Sequence, residues 1–315
     1  MNKKIVVLGG GTGLSTLLRG LKQFPVDITA IVSVSDDGKS TGQIREEFNT
    51  PALGDIRRVL ASLSETEPLF EKMLNYRFNT NGNFNGHTVG NLLLVAMTEI
   101  TGSVSDGIES LSKVLNLKGR VLPVTEESNN TLVAEMEDGT IVEGEHHITN
   151  YEGIIKDVWF RDKTEVTKES IEAIKEADLI ILSMGSLYTS IIPNLICREI
   201  KDAIDESRAK VMYVCNMVTQ PGETDNYTVS DHVKTLNRYL GNKKISVVIA
   251  NNGFISQEMA ERYHTLEQKD PVLFDEEELE KLNLKIIAEN FVKVEDNRLR
   301  HDVIKVSLHI FSYLL

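Results

Sequence analysis

The sequence predicts an α/β fold, a three-layer Rossmann-like arrangement with a mostly parallel central sheet. The first observation is a short apolar run at residues 5–8, which is typical of a strand covered on both faces. The second is a glycine-rich turn followed by leucines at helical spacing between residues 14 and 21. A second apolar run at 28–34 then completes a β-turn-α-β unit within about 30 residues, as a doubly wound sheet begins.

The remaining elements follow in order along the chain. After a polar loop at 35–42, the periodicity predicts helices over 44–48, 56–63, 69–78, 88–101 and 105–115. Runs of alternating polarity at 121–124, 132–136, 140–143 and 154–160, with Asp138-Gly139 between two of them, predict an antiparallel insertion around 120–160. The α/β pattern resumes with helices at 170–176, 191–205 and 232–240 and strands at 179–182, 211–214 and 245–250. We therefore predict one domain across residues 1–315.

Composition and charge restrict the class of protein. The 315 residues are 41% hydrophobic and 26% charged, which suits a globular chain with a large core. A net charge of −13 argues against a surface for nucleic acid or anionic lipid. No stretch approaches the roughly 20 apolar residues of a membrane span, and the run at 5–8 is too short for a signal peptide. Cys197 and Cys215 lack CxxC spacing and are interpreted as buried thiols, so we predict a cytoplasmic protein.

The motif GGGTGLS (9–15) is the first functional signal, because it joins a predicted strand to a predicted helix. Its glycines permit positive φ and let backbone N–H groups approach an anion closely. The residues predicted to hold phosphate are Gly9, Gly10, Gly11, Thr12, Gly13 and Ser15. The third glycine of the dinucleotide fingerprint is missing and no Walker A lysine follows, so NAD(P) is not expected. A purely structural turn is the alternative interpretation.

A second loop, SVSDDGKSTG (33–42), follows the second predicted strand, at the edge where open α/β sheets bind ligands. Asp36 is a candidate to accept a hydrogen bond from a ribose hydroxyl, and the adjacent carboxylates suit a hard cation. A solvent-exposed turn is the alternative. Farther along, Asp55 lies at a predicted helix start, where capping is its alternative role. Arg57 and Arg58 follow it, and one of them is a candidate phosphate donor.

Two later motifs add candidate ligand contacts. The segment GHTVGNLLL (86–94) places His87 and Asn91 one turn apart on one face of an apolar helix. The segment SMGSLYTS (183–190) repeats the order strand, turn, helix, with Gly185 and Ser186 in the turn. Two such turns suit a diphosphate better than a single phosphate.

Taken together, GGGTGLS, SDDG, PALGDIRRVLASL, GHTVGNLLL, GSLYTSIIPNL and CNMVTQPGETD resemble the gluconeogenesis factor family, bacterial proteins related to 2-phospho-L-lactate transferase. The similar segments run from residue 5 to about residue 302. The resemblance implies a CofD-like three-layer fold with a mixed sheet. It also implies binding of a UDP-sugar, notably UDP-N-acetylglucosamine, and a role in carbon-source-dependent control of cell-wall synthesis and cell shape.

The resemblance further implies roles for individual residues. Asp37 and Asp55 match the two aspartates that hold a metal in the related transferases, so Mg²⁺ is an expected cofactor. Tyr263 is expected to stack on uracil, and Arg300 to bind the diphosphate. The matching motifs extend the expected ligand contacts to three further residues, Leu187, Tyr188 and Asn216.

The chain departs from the family pattern in two loops assigned to the ligand. Ser183-Met184 stands where the family commonly has Gly-Pro, and Lys39 stands where it commonly has glycine. The amine of Lys39 is itself a candidate phosphate contact. Both departures bear on which sugar the site prefers.

Three functional hypotheses remain at this point. The first is a nucleotide-sugar-binding regulator, with UDP-N-acetylglucosamine or UDP-glucose as ligand, that links gluconeogenic growth to cell-wall synthesis proteins. The second is a Mg²⁺-dependent transferase that moves a phosphorylated group from a nucleotide carrier. The third and weakest is an NAD(P)-dependent oxidoreductase. The sequence leaves the oligomeric state open, including a homo-oligomer.

Overall fold

The computed structural model describes residues 2–65, 68–295 and 297–315, and for Lys39 it describes the backbone alone. The strands within these ranges are β1 (Lys3–Gly9), β2 (Val26–Val32), β3 (Arg120–Pro123), β4 (Leu132–Met136), β5 (Ile141–Glu143), β6 (Ile155–Phe160), β7 (Leu179–Leu182), β8 (Lys210–Val214), β9 (Ile245–Asn251), β10 (Lys285–Glu289), β11 (Val292–Glu295) and β12 (Arg298–His301).

The helices are α1 (Gly11–Leu21), α2 (Lys39–Phe48), α3 (Gly54–Leu63), α4 (Pro68–Asn75), α5 (Val89–Thr101), α6 (Val104–Val114), α7 (Glu145–Thr149), α8 (Lys168–Glu176), α9 (Ile192–Ile196), α10 (Arg198–Glu206), α11 (Val229–Tyr239), α12 (Gln257–Glu267), α13 (Glu276–Glu280) and α14 (Val303–Leu314). A π-helical turn, Leu187–Ile191, precedes α9.

The central sheet has seven strands in the order β10-β9-β8-β7-β1-β2-β3, and each neighbouring pair is parallel. Every residue of β7 is buried, as expected when helices cover both faces of a parallel sheet. The predicted three-layer, Rossmann-like fold is therefore confirmed. The mixed sheet that the resemblance implied is wrong for the central sheet, whose described pairings are all parallel.

The helices pack in two groups. On one side, α1 contacts α3 and α14, and the group continues through α4, α5 and α6. In the second group, α10 contacts α8 and α9, and α9 contacts α11. α1 and α14 cross closely at Gly20, where a Cβ would lie 2.4 Å from the carbonyl oxygen of Val303 and from Ser307 Oγ. The buried apolar side chains form one cluster between Ile5 and Ile310, which suits the predicted single domain.

The predicted antiparallel insertion starts later than expected. Strands β4, β5 and β6 form a separate three-stranded antiparallel sheet in the order β5-β4-β6, as the alternating runs predicted. The run at 121–124 was wrongly assigned to it, because Arg120–Pro123 pairs in parallel with β2 as the edge strand of the central sheet. The small sheet contacts α9 through β6 and carries α7.

Two other expectations can be compared with the structure. The predicted helix at 191–205 is divided into the π-helical turn, α9 and α10, because Cys197 adopts an extended conformation between the last two.

The interpretation of Cys197 and Cys215 as buried free thiols is confirmed. In the part of the chain that the structure describes, no helix combines the length and apolarity needed to cross a membrane.

Candidate functional site

The candidate site lies at the carboxyl ends of β1 and β7, which are neighbours in the sheet. From β1 the chain proceeds through α1 to β2 on one side, whereas β7 leads to β8 on the other. The strand order therefore reverses between β1 and β7. In open α/β sheets this reversal leaves a crevice in which ligands bind.

The glycines of the first turn are required for two different reasons. Gly9 and Gly13 lie against the turn after β7: a Cβ on Gly13 would lie 1.9 Å from the Met184 carbonyl oxygen, and one on Gly9 would lie 2.1 Å from Ser183 Oγ. Gly10 and Gly11 instead face Asp55. The first pair thus lets the turns after β1 and β7 meet, and the second pair leaves room for the Asp55 carboxylate.

The start of α1 has the features of an anion site. Gly10 is extended and provides no side-chain cap, and Gly11 has φ of 61°, which favours glycine. Thr12 is exposed beside them, whereas the buried Ser15 hydroxyl donates to the Gly11 carbonyl oxygen at 3.0 Å and is used within the helix. Apart from the Gly11 N–H, which Asp55 accepts, backbone N–H groups in the first turn of this helix are suited to a phosphate.

Asp55 and Arg58 form an ion pair beside this turn. Asp55 is only 8% exposed, its Oδ1 lies 2.7 Å from Arg58 Nη1, and it accepts the Gly11 N–H. Burial raises the pKa of Asp55, and the nearby Asp36 carboxylate raises it further against the opposing effect of Arg58. Arg58 Nη1 would lie 3.9 Å from a Cβ on Gly11. Asp55 therefore holds a partly exposed guanidinium against the glycine turn.

The two candidate arginines have different surroundings. Arg57 is 5% exposed, donates to Asn75 Oδ1 at 2.6 Å, and lies against Gly90 of α5. Burial, together with Arg58 and Arg77, lowers the pKa of Arg57 to about 10. Arg57 therefore fixes α3 to α4 and α5, which leaves Arg58 as the arginine at the glycine turn.

Asp36 lies beside Asp55, whereas Asp37 is used elsewhere. A Cβ on Gly54, the residue before Asp55, would meet Asp36 Oδ2 at 3.2 Å. Asp36 Oδ1 accepts the Gly38 N–H at 2.8 Å, a contact that precedes α2. Asp37 Oδ1 instead accepts the His146 N–H of α7 at 2.7 Å. Asp36 is therefore the aspartate whose charge acts on Asp55, and the expected Mg²⁺ site at Asp37 and Asp55 stays a prediction.

Glu145 enters the site from the insertion. It is the first residue of α7, and its Oε2 accepts the Ser35 hydroxyl at 3.3 Å. Burial raises the pKa of Glu145 well above its ordinary value, and the nearby carboxylates of Asp36 and Asp55 add to the shift. Glu145 was not predicted as a site residue, because it is 110 positions away from Ser35 in the chain and no local sequence pattern indicates that the two are in contact.

The second turn, after β7, is already bonded to an internal anion. Glu223 accepts the Ser186 hydroxyl on both carboxylate oxygens and the Tyr188 N–H at 3.0 Å, and it also accepts the Leu187 N–H. Asn216 pairs with both backbone groups of Gly185, at 2.8 and 2.6 Å. The predicted second phosphate cradle is therefore occupied by Glu223. The sequence motif CNMVTQPGETD contains Glu223, but its role was not recognised there.

His87 and Asn91 lie on the α2 side of the crevice. Both are buried, and His87 Nδ1 lies 3.1 Å from Ser40 Oγ in the first turn of α2. Asn91 Oδ1 finds no hydrogen-bond partner among the residues that the structure describes. The side chain of Lys39, which precedes Ser40, lies outside the described part of the chain. His87 precedes the N-cap Thr88 and lies outside α5, so the expectation that His87 and Asn91 share one helix face is wrong, and their contact with a ligand stays a prediction.

Tyr263 and Arg300 occupy the C-terminal hairpin region. Tyr263 is 7% exposed, and its hydroxyl accepts the Leu299 N–H at 2.8 Å. Arg300 is exposed on β12, on the face opposite to His301. His301 donates to the Cys215 carbonyl oxygen at 3.1 Å, just beyond the end of β8. The hairpin is thus fixed at the edge that carries the site, with the Tyr263 ring buried beneath it.

Comparison with known proteins agrees with this architecture. Residues 5–292 match the profile of the family described as "2-phospho-L-lactate transferase CofD". The chain belongs to the CofD family. It is 48% identical to the gluconeogenesis factor of Bacillus subtilis (strain 168) over 305 residues, which cover 96% of each chain. It is 46% identical to a putative gluconeogenesis factor of Thermotoga maritima, covering 96% of this chain and 97% of the relative.

A solved structure from the CofD family has the same fold. The crystal structure of a Bacillus halodurans protein, described as a member of the UPF0052 family, superimposes with a TM-score of 0.94 at 47% identity. The match covers 98% of this chain and 99% of the other. The predicted membership and the predicted fold are both confirmed.

Membership of the CofD family raises the question of a metal. Transferases of this family typically use a divalent cation such as Mg²⁺. In the described ranges, no group of three or more His, Cys, Asp and Glu side chains is arranged to hold a metal. Asp36 and Asp55 nevertheless offer two carboxylates beside the glycine turn. Mg²⁺ commonly takes one or two carboxylates and completes its shell with water and phosphate oxygens, so the pair fits a cation that arrives with a phosphorylated ligand.

Proposed function

We propose that this chain binds a nucleotide sugar of the UDP-N-acetylglucosamine or UDP-glucose type in the crevice between β1 and β7. Its role is that of a regulator which links gluconeogenic growth to cell-wall synthesis and cell shape. The observation that carries the binding proposal is the glycine turn at the start of α1, where Gly11 lies near both Asp55 and the partly exposed guanidinium of Arg58. A guanidinium and helix N–H groups together are suited to a phosphate.

The geometry favours one phosphate at the glycine turn rather than one at each turn. Glu223 already accepts the hydrogen bonds of the turn after β7. A diphosphate therefore places one phosphate at the start of α1, and its second phosphate lies toward Arg58 or toward a cation between Asp36 and Asp55. In this arrangement the positive charge of Arg58 faces the phosphate, and the negative charges of Asp36 and Asp55 face the Mg²⁺ that accompanies it.

The regulatory part of the proposal is supported by the relatives. Proteins 40–48% identical to this chain bear the name gluconeogenesis factor or putative gluconeogenesis factor. The cell-wall link comes from the family resemblance of the motifs. The proposal names cell-wall synthesis proteins as downstream partners.

A Mg²⁺-dependent transferase is the second candidate function. The specific observation in its favour is that Asp36 and Asp55 lie near each other beside the glycine turn. The family to which the chain belongs is also named after a transferase. A cation held there stabilises charge on a phosphoryl group as it is transferred. Consumption of the nucleotide sugar only when a second substrate is present would favour this candidate.

Calorimetry on the full chain tests the binding proposal. We expect saturable heat with UDP-N-acetylglucosamine in the presence of Mg²⁺, weaker heat with UDP, and none with NADPH. The variant Gly11→Ala should lose binding, because a Cβ at this positive-φ residue is strained and points at Asp55. Gly82→Ala is the matched control, since a Cβ there meets nothing within 4 Å. No heat from the wild-type chain at millimolar ligand would contradict the proposal.

A further inference from the structure

Ser40 and His87 form a hydrogen-bonded pair of the kind that activates a hydroxyl nucleophile. Ser40 Oγ lies 3.1 Å from His87 Nδ1, and the two residues are 47 positions apart in the chain. Ser40 is partly exposed in the first turn of α2, whereas the imidazole of His87 is buried. A serine hydroxyl within hydrogen-bond distance of a histidine nitrogen is the geometry in which the histidine can take the serine proton.

The backbone around His87 is fixed by the protein. The Phe78 N–H donates to the His87 carbonyl oxygen at 2.9 Å, and the His87 N–H donates to the Phe84 carbonyl oxygen at 3.1 Å. The next residue, Thr88, caps α5 by accepting the Asn91 N–H. The imidazole is thus presented by the closed loop 78–87 and by the start of a helix. Rigid support of this kind is what a base needs to stay in position.

A line of contacts joins Ser40 to the glycine turn. Its neighbour Thr41 donates to Asp36 Oδ2 at 3.3 Å, and a Cβ on Gly54 would touch both of these groups. Gly54 precedes Asp55, whose Oδ2 would lie 2.9 Å from a Cβ on Gly10. These contacts, which begin one residue after Ser40, connect the first turn of α2 to the glycine turn that we propose for the phosphate.

We propose that Ser40 is a nucleophile and His87 its base, and that the pair slowly cleaves the diphosphate of the bound nucleotide sugar. This inference rests on the proposed function, because it needs the nucleotide sugar in the crevice. Ser40 Oγ forms a bond to the phosphorus that carries the sugar, and its proton passes to His87 Nδ1. The bond between that phosphorus and the bridging oxygen breaks, so that the nucleoside monophosphate leaves with the bridging oxygen and the bonding electron pair.

Water completes the cycle. It attacks the same phosphorus and releases one proton to solvent, while the bond between phosphorus and Ser40 Oγ breaks. Ser40 Oγ recovers its proton from His87, and the sugar 1-phosphate leaves. The net reaction is hydrolysis of a nucleotide sugar to a nucleoside monophosphate and a sugar 1-phosphate, with no oxidant or reductant. Arg58 at the glycine turn stabilises the negative charge that gathers on the phosphate oxygens.

Slow cleavage gives the regulator a defined response time. A binding protein without turnover reports the ligand concentration through dissociation alone. A chain that cleaves its ligand also returns to the empty state at a rate set by Ser40 and His87.

The experiment follows the products and the protein together. The full chain is incubated with UDP-N-acetylglucosamine and Mg²⁺, UMP is measured by chromatography, and acid-quenched protein is weighed by mass spectrometry. We expect slow release of UMP and a sugar-phosphate adduct on Ser40. Ser40→Ala and His87→Gln should lower UMP release by about 100-fold or more, which is the ordinary contribution of a base or nucleophile. Both variants should still bind the nucleotide sugar in calorimetry.

Ser128→Ala is the matched control. The Ser128 hydroxyl donates to Asn49 Oδ1 at 2.6 Å and joins the other end of α2 to a loop, so its loss should leave UMP release unchanged. Wild-type chain that binds the ligand without releasing UMP overturns this inference and leaves the proposed function standing. Undiminished release by a folded Ser40→Ala variant also overturns it. A wild-type chain that does not bind the nucleotide sugar overturns both proposals.

Discussion

Glu223 accepts hydrogen bonds from the Ser186 hydroxyl on both of its carboxylate oxygens, at 2.7 and 2.6 Å. The same carboxylate accepts the Tyr188 N–H, and Gln220 donates to it at 2.6 Å. A side chain of the protein thus takes the place that the turn after β7 would otherwise offer to a phosphate. Several donors thus converge on one buried acid, so this turn belongs to the framework of the site.

Removal of this carboxylate is expected to cost stability and to spare ligand binding. Glu223→Ala leaves the Ser186 hydroxyl and the Tyr188 N–H without their acceptor, with a loss on the order of 3 kcal/mol in the free energy of unfolding. Glu223→Gln keeps one acceptor oxygen and should lose about 1 kcal/mol. Urea unfolding measures both values, and calorimetry should show that Glu223→Gln binds the nucleotide sugar within about twofold of the wild type. A large gain in affinity would instead show that Glu223 competes with the ligand.

The pH dependence of stability is expected to depend on Glu145. Burial and the carboxylates of Asp36 and Asp55 raise the pKa of Glu145, so the folded chain holds this proton more tightly than the unfolded chain. The free energy of unfolding therefore falls as the pH rises from about 4.3, the ordinary glutamate pKa, through the raised value. Glu145→Gln cannot ionise and should therefore gain stability relative to the wild type as the pH rises to 8.

The measurement for Glu145 is thermal or urea unfolding at pH 4.5 and pH 8. The difference between the variant and the wild type should be small at the lower pH, which is close to the ordinary glutamate pKa, so that the cost of ionising Glu145 has only begun to develop. Glu152→Gln, an exposed residue of the same insertion, is the control and should leave the pH dependence unchanged. Parallel pH profiles for Glu145→Gln and the wild type would contradict the prediction.

The two neighbouring aspartates of the loop after β2, Asp36 and Asp37, are expected to differ in their contribution to Mg²⁺ binding. Asp36→Asn should abolish the stabilisation by Mg²⁺ and nucleotide sugar, because Asp36 lies beside Asp55. Asp37→Asn should retain that response, since Asp37 is bonded to the His146 N–H at the start of α7. Thermal unfolding with a Mg²⁺ titration in the presence of the nucleotide sugar compares the two variants. A ligand at 100 times its dissociation constant raises the free energy of unfolding by about 2.7 kcal/mol, which such a measurement detects. Loss of the response in Asp37→Asn alone would restore the assignment made from the sequence.

The two consecutive arginines of α3 give a contrast within one helix. Arg58→Gln is expected to weaken binding of the nucleotide sugar by about 10- to 100-fold, because a hydrogen bond to a charged group contributes about 1.5 to 3 kcal/mol. Arg57→Gln should instead lower stability, since Arg57 is buried and donates to Asn75. Calorimetry and urea unfolding on both variants separate the two effects. Equal losses of affinity in two equally stable variants would contradict this division of roles.

The sequence was sufficient for the parts of the fold that depend on local periodicity. The unit formed by β1, α1 and β2 was predicted because its apolar runs, its glycines and its leucine spacing all lie within one short segment. The edge strand β3 was placed in the wrong sheet, because four residues of strand pattern do not reveal whether their partner is parallel or antiparallel. Which neighbour a short strand pairs with is decided by the whole chain.

The candidate site shows the same limit at the level of single residues. The motifs indicated the region of the crevice. They did not indicate that the adjacent residues Asp36 and Asp37 accept hydrogen bonds from different parts of the chain, because the two residues are chemically identical. The turn at Gly185 has the pattern of an anion site whether the anion is a ligand or Glu223. Glu145 comes from the insertion, and its raised pKa arises only when burial and the other carboxylates are brought together by the fold.

The position of the crevice between β1 and β7 has a consequence for how the protein is made. Lys4 and Asp178, which are hydrogen bonded across these two strands, are 174 positions apart in the chain. At roughly 5–20 residues per second, a ribosome completes β7 about 9 to 35 seconds after β1. The glycine turn after β1 is therefore synthesised long before the segment that lies against Gly13. A chain that ends before β7 carries the glycine motif without the crevice, so the proposed ligand site can form only after more than half of the polypeptide has been made.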